Sequence, residues 1–73
     1  MDIEEQYDKI YRYCYFKLYD KQLAQDITQE TFLQFYRQGL NLGRNKELPY
    51  LYTIAKNLCI DSFRKKTLKI LKM

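Results

Sequence analysis

Glycine and proline are nearly absent from this chain, and their positions restrict what it can fold into. The 73 residues include two glycines, Gly39 and Gly43, and one proline, Pro49, all within one short segment. The residues on either side of that segment therefore lack the two residue types that most often interrupt a helix. Apolar side chains make up 47% of the chain, which is enough for one small core. Long helices are favoured over strands joined by tight turns, and we predict an all-α fold.

Length and residue types exclude several classes of protein. A domain of this size hides only about 60% of its unfolded surface, too little to enclose a deep active-site cavity. No apolar run approaches the roughly 20 residues that span a bilayer, and the first residues, MDIEEQ, are acidic where a secretion signal is basic. We expect a cytoplasmic protein with no membrane partner.

The two cysteines, Cys14 and Cys59, have no CxxC spacing, and the chain contains no histidine. A zinc site would therefore have too few ligands. Reduced thiols in or beside the core are favoured over a disulfide in this compartment.

Capping residues and periodicity predict a three-helix bundle, with helices at about residues 3–19, 21–37 and 47–70 and a loop at 38–46. Asp20 is a plausible N-cap for the second helix, and Gly39 is placed to end it in a left-handed conformation. Pro49 is expected in the first turn of the third helix, where a missing amide hydrogen costs least. The very short link at Asp20 predicts that the first two helices form an antiparallel hairpin.

Apolar residues at helical spacing predict the side of each helix that faces the core. The predicted core residues are Ile3, Tyr7, Ile10, Cys14 and Leu18 in the first helix, Ala24, Ile27, Thr31 and Phe35 in the second, and Leu48, Leu51, Ile54, Ala55, Leu58 and Ser62 in the third. Tyr15, Phe16 and Tyr19 lie off the first stripe. Their position favours a first helix packed between two neighbours over one that leaves aromatic side chains exposed.

The second helix carries apolar residues on its far side as well. Phe32, Leu33 and Tyr36 lie there beside acids and amides, namely Asp26, Gln29 and, nearer the core edge, Glu30. Contiguous exposed apolar area usually marks a binding surface. One side of this helix is therefore predicted to pack in the core and the other to bind a partner. The alternative is that the third helix covers the far side.

Charge is distributed unevenly along the chain. Residues 1–43 carry five basic and seven acidic side chains, a net charge of −2, whereas residues 44–73 carry eight and two, a net charge of +6. The contrast indicates two partners, the second a polyanion. Polar residues suited to nucleic acid lie on the outer side of the third helix and in the preceding loop: Asn41, Arg44, Asn45, Lys46, Thr53, Lys56, Asn57 and Arg64, with Tyr50 and Tyr52 as stacking candidates. A membrane-surface helix or an ordinary solvated face remains an alternative.

Two stretches occur in order along the chain, DKQLAQDITQETFLQFY in the second helix and YLYTIAKNLCIDSFRK in the third. Together they resemble region 2 of bacterial RNA polymerase sigma factors of the extracytoplasmic-function (ECF) type, the first its polymerase-binding helix and the second its promoter-reading helix. Together they cover nearly the whole chain, so residues 1–73 are interpreted as one region 2 domain. The resemblance implies a non-enzymatic subunit for transcription initiation, without a cofactor or metal.

The resemblance also implies roles for individual residues. Those matching the surface that grips a coiled coil of the polymerase β′ subunit are Asp26, Gln29, Glu30, Phe32, Leu33 and Tyr36. Those matching outward positions of the helix that contacts the promoter −10 element are Thr53, Lys56, Asn57 and Arg64. The loop at 39–47 matches the segment that captures a base flipped from the non-template strand, which requires a pocket and basic surroundings. Proteins of this type are often held by an anti-sigma protein.

The chain departs from the family pattern in and around this loop. Tyr50 replaces the usual tryptophan, Glu47 stands where phenylalanine is common, and Pro49 lies in the first turn of the predicted helix, so the loop conformation and the preferred flipped base stay open. In the family a second DNA-binding domain follows region 2, and we do not expect it within these 73 residues. We expect residues 65–73 to begin a linker toward it; the alternative is that the natural protein ends here.

Two other function classes are compatible with a small basic helical domain. One is a protein-interaction or membrane-surface module whose basic tail is incidental. The other is an enzyme, which is disfavoured because the sequence has no histidine, no metal-ligand cluster and no glycine-rich phosphate loop.

Overall fold

Three α-helices form the domain, and each of them packs against the other two. The structure is a computed structural model that describes the backbone of residues 3–39 and 44–71 and the side chains of 3–39 and 46–64. The helices are α1 (Ile3–Leu18), α2 (Lys21–Arg37) and α3 (Arg44–Leu71). The predicted all-α three-helix bundle is confirmed, and the bounds predicted for the first two helices agree to within one residue.

The link between α1 and α2 is only two residues long. Tyr19 adopts a left-handed conformation with φ 54°, and its amide donates to the Tyr15 carbonyl at 2.7 Å. Asp20 is extended, and its carboxylate accepts a hydrogen bond from the Leu23 amide at 3.0 Å, which confirms it as the N-cap of α2. Because so short a link turns the chain straight back, packed helices on either side of it run antiparallel.

Local hydrogen bonds also end α2. The Gln38 amide donates to the Gln34 carbonyl at 3.3 Å, and the Gly39 amide donates to the Tyr36 carbonyl at 3.2 Å. Gly39 has φ 59°, the left-handed conformation that was predicted from its position.

The third helix starts three residues earlier than predicted. It begins at Arg44, so Pro49 is its sixth residue rather than part of the first turn, and the loop is shorter than 38–46. The proline removes only one hydrogen bond, which would run to a carbonyl near the helix N-terminus, so the helix continues through it. Gln6 of α1 donates to the Glu47 carboxylate at 3.2 Å and ties this early turn to the bundle. That contact joins residues 41 positions apart, so it could not be predicted from the few neighbouring residues that indicate where a helix starts.

The core follows most of the predicted stripes. Its buried apolar residues are Ile10, Cys14, Leu18, Ala24, Ile27, Phe32, Leu51, Ile54, Ala55 and Cys59. Two predicted core residues of α1 lie nearer the surface, because Ile3 is 52% exposed at the end of its helix and Tyr7 is half-buried. Phe35, Leu48, Leu58 and Ser62 are also half-buried.

Three buried polar residues complete the packing. Gln6 is held by Glu47, while Thr28 and Thr31 donate their hydroxyls to the carbonyls of Ala24 and Ile27, at 2.6 and 2.7 Å. These back-bonds satisfy both hydroxyls inside the helix itself, so the threonines can face an apolar neighbour without a buried unpaired group.

The aromatic residues of α1 behave differently from the expectation. Phe16 is 66% exposed and Tyr19 is 79% exposed, so the two neighbouring helices do not cover them. Tyr15 is half-buried, stacks with Tyr11 at a centroid distance of 6.3 Å and meets the edge of Phe16 at 5.8 Å. Of these three residues, Tyr15 is the one that packs against the core.

Candidate functional site

The outward side of α2, here called the α2 face, consists of Asp26, Gln29, Glu30, Leu33 and Tyr36. Leu33 is 50% exposed and Tyr36 is 57% exposed, although the helix has a full core side to bury apolar residues. Asp26 and Gln29 are exposed, and Glu30 is half-buried at the edge. The expected combination of apolar, acidic and amide groups on an uncovered surface is therefore present for these five residues.

Phe32 does not belong to the α2 face. It is only 7% exposed and stacks on Tyr7 of α1, with ring centroids 5.7 Å apart. The prediction that it lies on the uncovered side was wrong, because α1 lies over the flank of α2 that carries this residue. Its ring also lies 6.3 Å from that of Tyr36, so Phe32 supports an exposed aromatic from beneath.

Neighbouring side chains hold the acids of the α2 face in place. Gln22 donates to the Asp26 carboxylate at 3.2 Å, and Gln34 donates to the Glu30 carboxylate at 3.3 Å, both one helical turn apart. Each carboxylate keeps further acceptor positions for a partner.

The outward side of α3, here called the α3 face, consists of Lys46, Thr53, Lys56, Asn57, Ile60 and Arg64. All six are exposed, as the sequence predicted for Thr53, Lys56, Asn57, Ile60 and Arg64. The Thr53 hydroxyl donates to the Pro49 carbonyl at 3.1 Å, so toward a partner its oxygen acts as an acceptor. Three cations, one amide and one hydroxyl thus share a single side of the helix.

The two tyrosines predicted as stacking platforms are partly committed to the protein. Tyr50 is half-buried, its hydroxyl donates to the Gln38 side chain, and its ring lies 5.9 Å from that of Phe35. Tyr52 is also half-buried and meets the ring of Tyr13 edge-on at 5.3 Å. Each therefore has one ring face or edge occupied by a neighbour.

Three other predicted DNA-binding residues cannot be assigned contacts. Asn41 lies outside the described residues. Arg44 and Asn45 are in the first turn of α3, and their side chains also lie outside the described part.

A groove of about 470 Å³ separates α2 from the second half of α3. It is lined by Leu23, Asp26, Ile27, Glu30, Leu58, Asp61, Ser62 and Arg64. Asp26 and Glu30 belong to the α2 face and Arg64 to the α3 face, so the two faces meet along this groove. Sequence reasoning did not single out Asp61, although its position three residues before Arg64 places both on neighbouring parts of one helix surface.

The family model for Sigma-70 region 2 matches residues 3–68, which include α1, α2, most of α3 and both faces. The chain belongs to the Sigma-70 region 2 family. The predicted resemblance to region 2 of ECF sigma factors is thereby confirmed, and similar curated proteins agree with it.

Relatives of this region 2 chain carry sigma-factor names. It is 36% identical over 69 residues to the ECF RNA polymerase sigma factor SigM of Bacillus subtilis (strain 168), a match over 89% of this chain and 42% of SigM. It is 43% identical over 60 residues to SigW, also an ECF RNA polymerase sigma factor of that strain, over 81% and 32% of the two chains.

A third such relative is the ECF RNA polymerase sigma factor BldN of Streptomyces coelicolor (strain ATCC BAA-471 / A3(2) / M145). The identity is 39% over 64 residues, which cover 78% of this chain and 22% of BldN. This region 2 chain therefore matches less than half the length of each of the three. No solved structure matches it significantly.

The cysteines of the region 2 domain lie in its core as free thiols, as predicted. The two thiols interact electrostatically with each other, and the Thr28 side chain partly offsets the effect of burial on the pKa of Cys14. Burial raises the pKa of Cys14, and burial followed by the neighbouring Cys14 raises the pKa of Cys59 to about 12. Both thiols are therefore protonated at neutral pH and act as packing groups that join α1 to α3.

None of the helices in residues 3–39 and 44–71 combines the length and apolar content that a membrane span needs. Among the same residues no cluster of potential metal ligands occurs.

Proposed function

We propose that this region 2 domain serves transcription initiation by binding core RNA polymerase through the α2 face and promoter DNA through the α3 face. The observation that carries the proposal is the presence of two uncovered surfaces of opposite charge on different helices of one bundle. Both surfaces lie within the region that matches the family, and the sigma-factor names of the relatives support the same role.

The α2 face has the composition of a protein-docking surface. Tyr36 and Leu33 supply apolar area, and an exposed tyrosine supported by a buried ring is a typical binding anchor. Asp26 and Glu30 add negative charge that selects a basic partner and speeds its association. This combination would fit a basic helical surface with apolar residues, and the proposed partner is the β′ coiled coil.

The α3 face supplies the chemistry for DNA. Lys46, Lys56 and Arg64 neutralise phosphates, which contributes affinity regardless of sequence. Asn57 offers an amide donor and acceptor to a base edge, and the Thr53 oxygen offers an acceptor. The α3 face and the preceding loop are proposed to recognise and melt the −10 element, with the loop capturing a base flipped from the non-template strand.

Several further roles follow from the proposal. The polymerase supplies all of the chemistry of RNA synthesis, so this domain acts without catalysis and without a cofactor. It would work in the cytoplasm, where polymerase and DNA are found. An inhibitory anti-sigma protein would act by covering the same two faces.

Charge reversal on the α2 face tests polymerase binding. We expect Glu30→Lys to weaken binding to a purified β′ coiled-coil fragment by about 30-fold or more. The substitution replaces a carboxylate that attracts a basic partner with an ammonium group that repels it. Glu5→Lys makes the same charge change at an exposed position of α1 and should bind as the unmodified domain does. Circular dichroism should show both variants folded, and unchanged binding by Glu30→Lys would refute the assignment of the α2 face.

Selection of single-stranded oligonucleotides from a random pool tests the DNA-binding role. The proposal predicts enrichment of a −10-type motif, with an affinity that exceeds that for a scrambled sequence and falls steeply with salt. Binding to anionic lipid vesicles together with no sequence preference among oligonucleotides would instead support a membrane-surface module.

A further inference from the structure

A second groove, between α1 and α3, is not explained by either face. Its volume is about 170 Å³, and its lining residues are Tyr13, Lys17, Lys56, Cys59, Ile60 and Phe63. Sequence reasoning assigned no binding role to Tyr13, Lys17 or Phe63. They come from two helices and are brought together only by the packing of α1 on α3.

The groove combines cations with an apolar floor. Among the residues whose side chains the structure describes, the charged lining groups are Lys17 and Lys56, and no carboxylate lines the groove. The Lys17 ammonium lies 5.6 Å from the centroid of the Tyr13 ring, a cation–π contact that keeps the charge at the rim. Phe63 is 46% exposed and Ile60 is 39% exposed, so the floor presents apolar area to solvent.

This combination narrows the chemistry of the occupant. A free inorganic anion would pair with the lysines but leave the Phe63 and Ile60 surfaces in water. An apolar peptide would cover those surfaces but leave two ammonium groups without a counter-charge. A nucleotide satisfies both, because its base packs on apolar or aromatic side chains while its phosphates lie near cations.

The groove is also continuous with the α3 face. Lys56 and Ile60 belong to both, so a strand lying on Thr53 and Asn57 would enter the groove across residues that the two surfaces share. Tyr13 is fixed from the other side by its edge-on contact with Tyr52, which limits the ordering needed on binding.

We propose that the α1–α3 groove binds one further nucleotide of the single-stranded DNA, with its base against Phe63 and its phosphates between Lys17 and Lys56. This inference rests on the proposed DNA-binding function and extends it to residues of α1. The groove would hold the single strand beyond the α3 face and so help to keep the two strands of the opened promoter separated.

The test measures the affinity of the intact 73-residue chain for the selected oligonucleotide by fluorescence anisotropy. Phe63→Ala should weaken binding about tenfold, the usual size of one lost base-stacking contact. Lys17→Gln should lower the dependence of log affinity on log salt concentration by about 0.7, the value for one phosphate of a single strand.

Matched controls separate the groove from general surface effects. Phe16→Ala removes an exposed aromatic of α1 outside the groove, and Lys9→Gln removes an exposed cation elsewhere on α1. Both control variants should bind as the unmodified domain does, and circular dichroism should show all four variants folded.

Abasic substitutions identify the nucleotide. An abasic site is placed at each position of the oligonucleotide in turn, and the affinities of the unmodified domain and of Phe63→Ala are compared. At one position the abasic site should weaken binding to the unmodified domain but cause no further loss for Phe63→Ala. Additive losses at every position would overturn the groove assignment.

Two other outcomes also contradict the inference in distinguishable ways. If the unmodified domain binds oligonucleotides but Phe63→Ala and Lys17→Gln bind equally well, the groove assignment fails and the α3 face stands. If no oligonucleotide binds the unmodified domain, both proposals fail. Vesicle binding that depends on Lys17 and Phe63, without DNA binding, would assign the groove to lipid.

Discussion

The α2 face and the α3 face both combine exposed apolar and polar residues, but their charges are opposite. Each presents partly exposed apolar residues, Leu33 and Tyr36 on α2 and Ile60 on α3, within polar surroundings on the side of the helix away from the core. The polar groups of the α2 face are acids and amides, whereas those of the α3 face include three cations. Exposed apolar area is therefore common to both of the proposed binding surfaces, and their charge distinguishes the partners proposed for them.

The two faces also depend on one shared core. Ile27 of α2 and Leu58 of α3 line the groove at which the faces meet. A change on the core side of either helix should therefore disturb both functions together, whereas a change on an outer side should affect one partner only. Substitutions on the core side and on the outer side of each helix test that separation.

Substitutions at two adjacent residues of α2 should affect different properties, one the stability of the domain and the other its binding to polymerase. Phe32→Ala removes a buried ring that stacks on Tyr7 and should lower the free energy of unfolding by about 3–5 kcal/mol. Leu33→Ala, at a half-exposed position, should change it by less than about 0.5 kcal/mol but weaken binding to the β′ fragment. Urea unfolding and fragment binding measure the two effects. Similar stability losses in both variants would contradict the division of α2 into two sides.

Adjacent residues of α3 should separate affinity from sequence recognition. Lys56→Gln should weaken binding to all single-stranded sequences by a similar factor, since it removes a phosphate contact. Asn57→Ala should weaken binding to the selected sequence about tenfold and leave the scrambled sequence unaffected, because it removes a base-edge contact. Gln29→Ala, an exposed amide on the α2 face, is the matched control and should leave DNA binding unchanged. A sequence-independent loss in Asn57→Ala would contradict its recognition role.

The N-cap of α2 should affect stability without selecting between partners. Asp20→Ala removes the acceptor for the Leu23 amide and should lower the free energy of unfolding by about 1 kcal/mol. Asp20→Ser retains a capping oxygen and should recover most of that loss. At a temperature where all variants are folded, affinities for polymerase fragment and oligonucleotide should match those of the unmodified domain. A loss with one partner alone would mean that Asp20 contacts that partner.

The left-handed residue before the cap should have the smallest effect. Tyr19→Gly relieves the crowding of a side chain at φ 54° and should raise the free energy of unfolding by roughly 0.5–1 kcal/mol. The lost ring is 79% exposed, so little packing opposes the gain. Thermal and urea unfolding should agree on the sign. A destabilised Tyr19→Gly variant would indicate that the exposed ring makes a stabilising contact in solution.

Features that depend on a few neighbouring residues were predictable from the sequence. The Asp20 cap, the left-handed Gly39 and the predicted core positions in the middle of each helix require only capping chemistry and helical periodicity. The exposure of Leu33, Tyr36, Lys56 and Asn57 followed from the same periodicity, because core and outward positions alternate around a helix.

Features that depend on a distant helix were not predictable in this way. Periodicity put Phe32 beside Leu33 on the outer side, but Tyr7 of α1 covers it. Capping rules and the position of Pro49 predicted a start of α3 near residue 47. The helix begins at Arg44 instead, and the turn before Pro49 is held by the long-range contact between Gln6 and Glu47. The exposure of Phe16 likewise reflects where α2 and α3 pack around α1.

The sequence by itself determined the number of helices, the ends of α2 and the charge that distinguishes the two faces, because each of these is set within a few residues or by composition. Only the tertiary structure decided which flanks are covered and which grooves remain, including the meeting of Lys17 with Phe63 across two helices. The physical reason is that helical periodicity states the directions in which side chains point, while burial depends on whether a second helix lies in that direction.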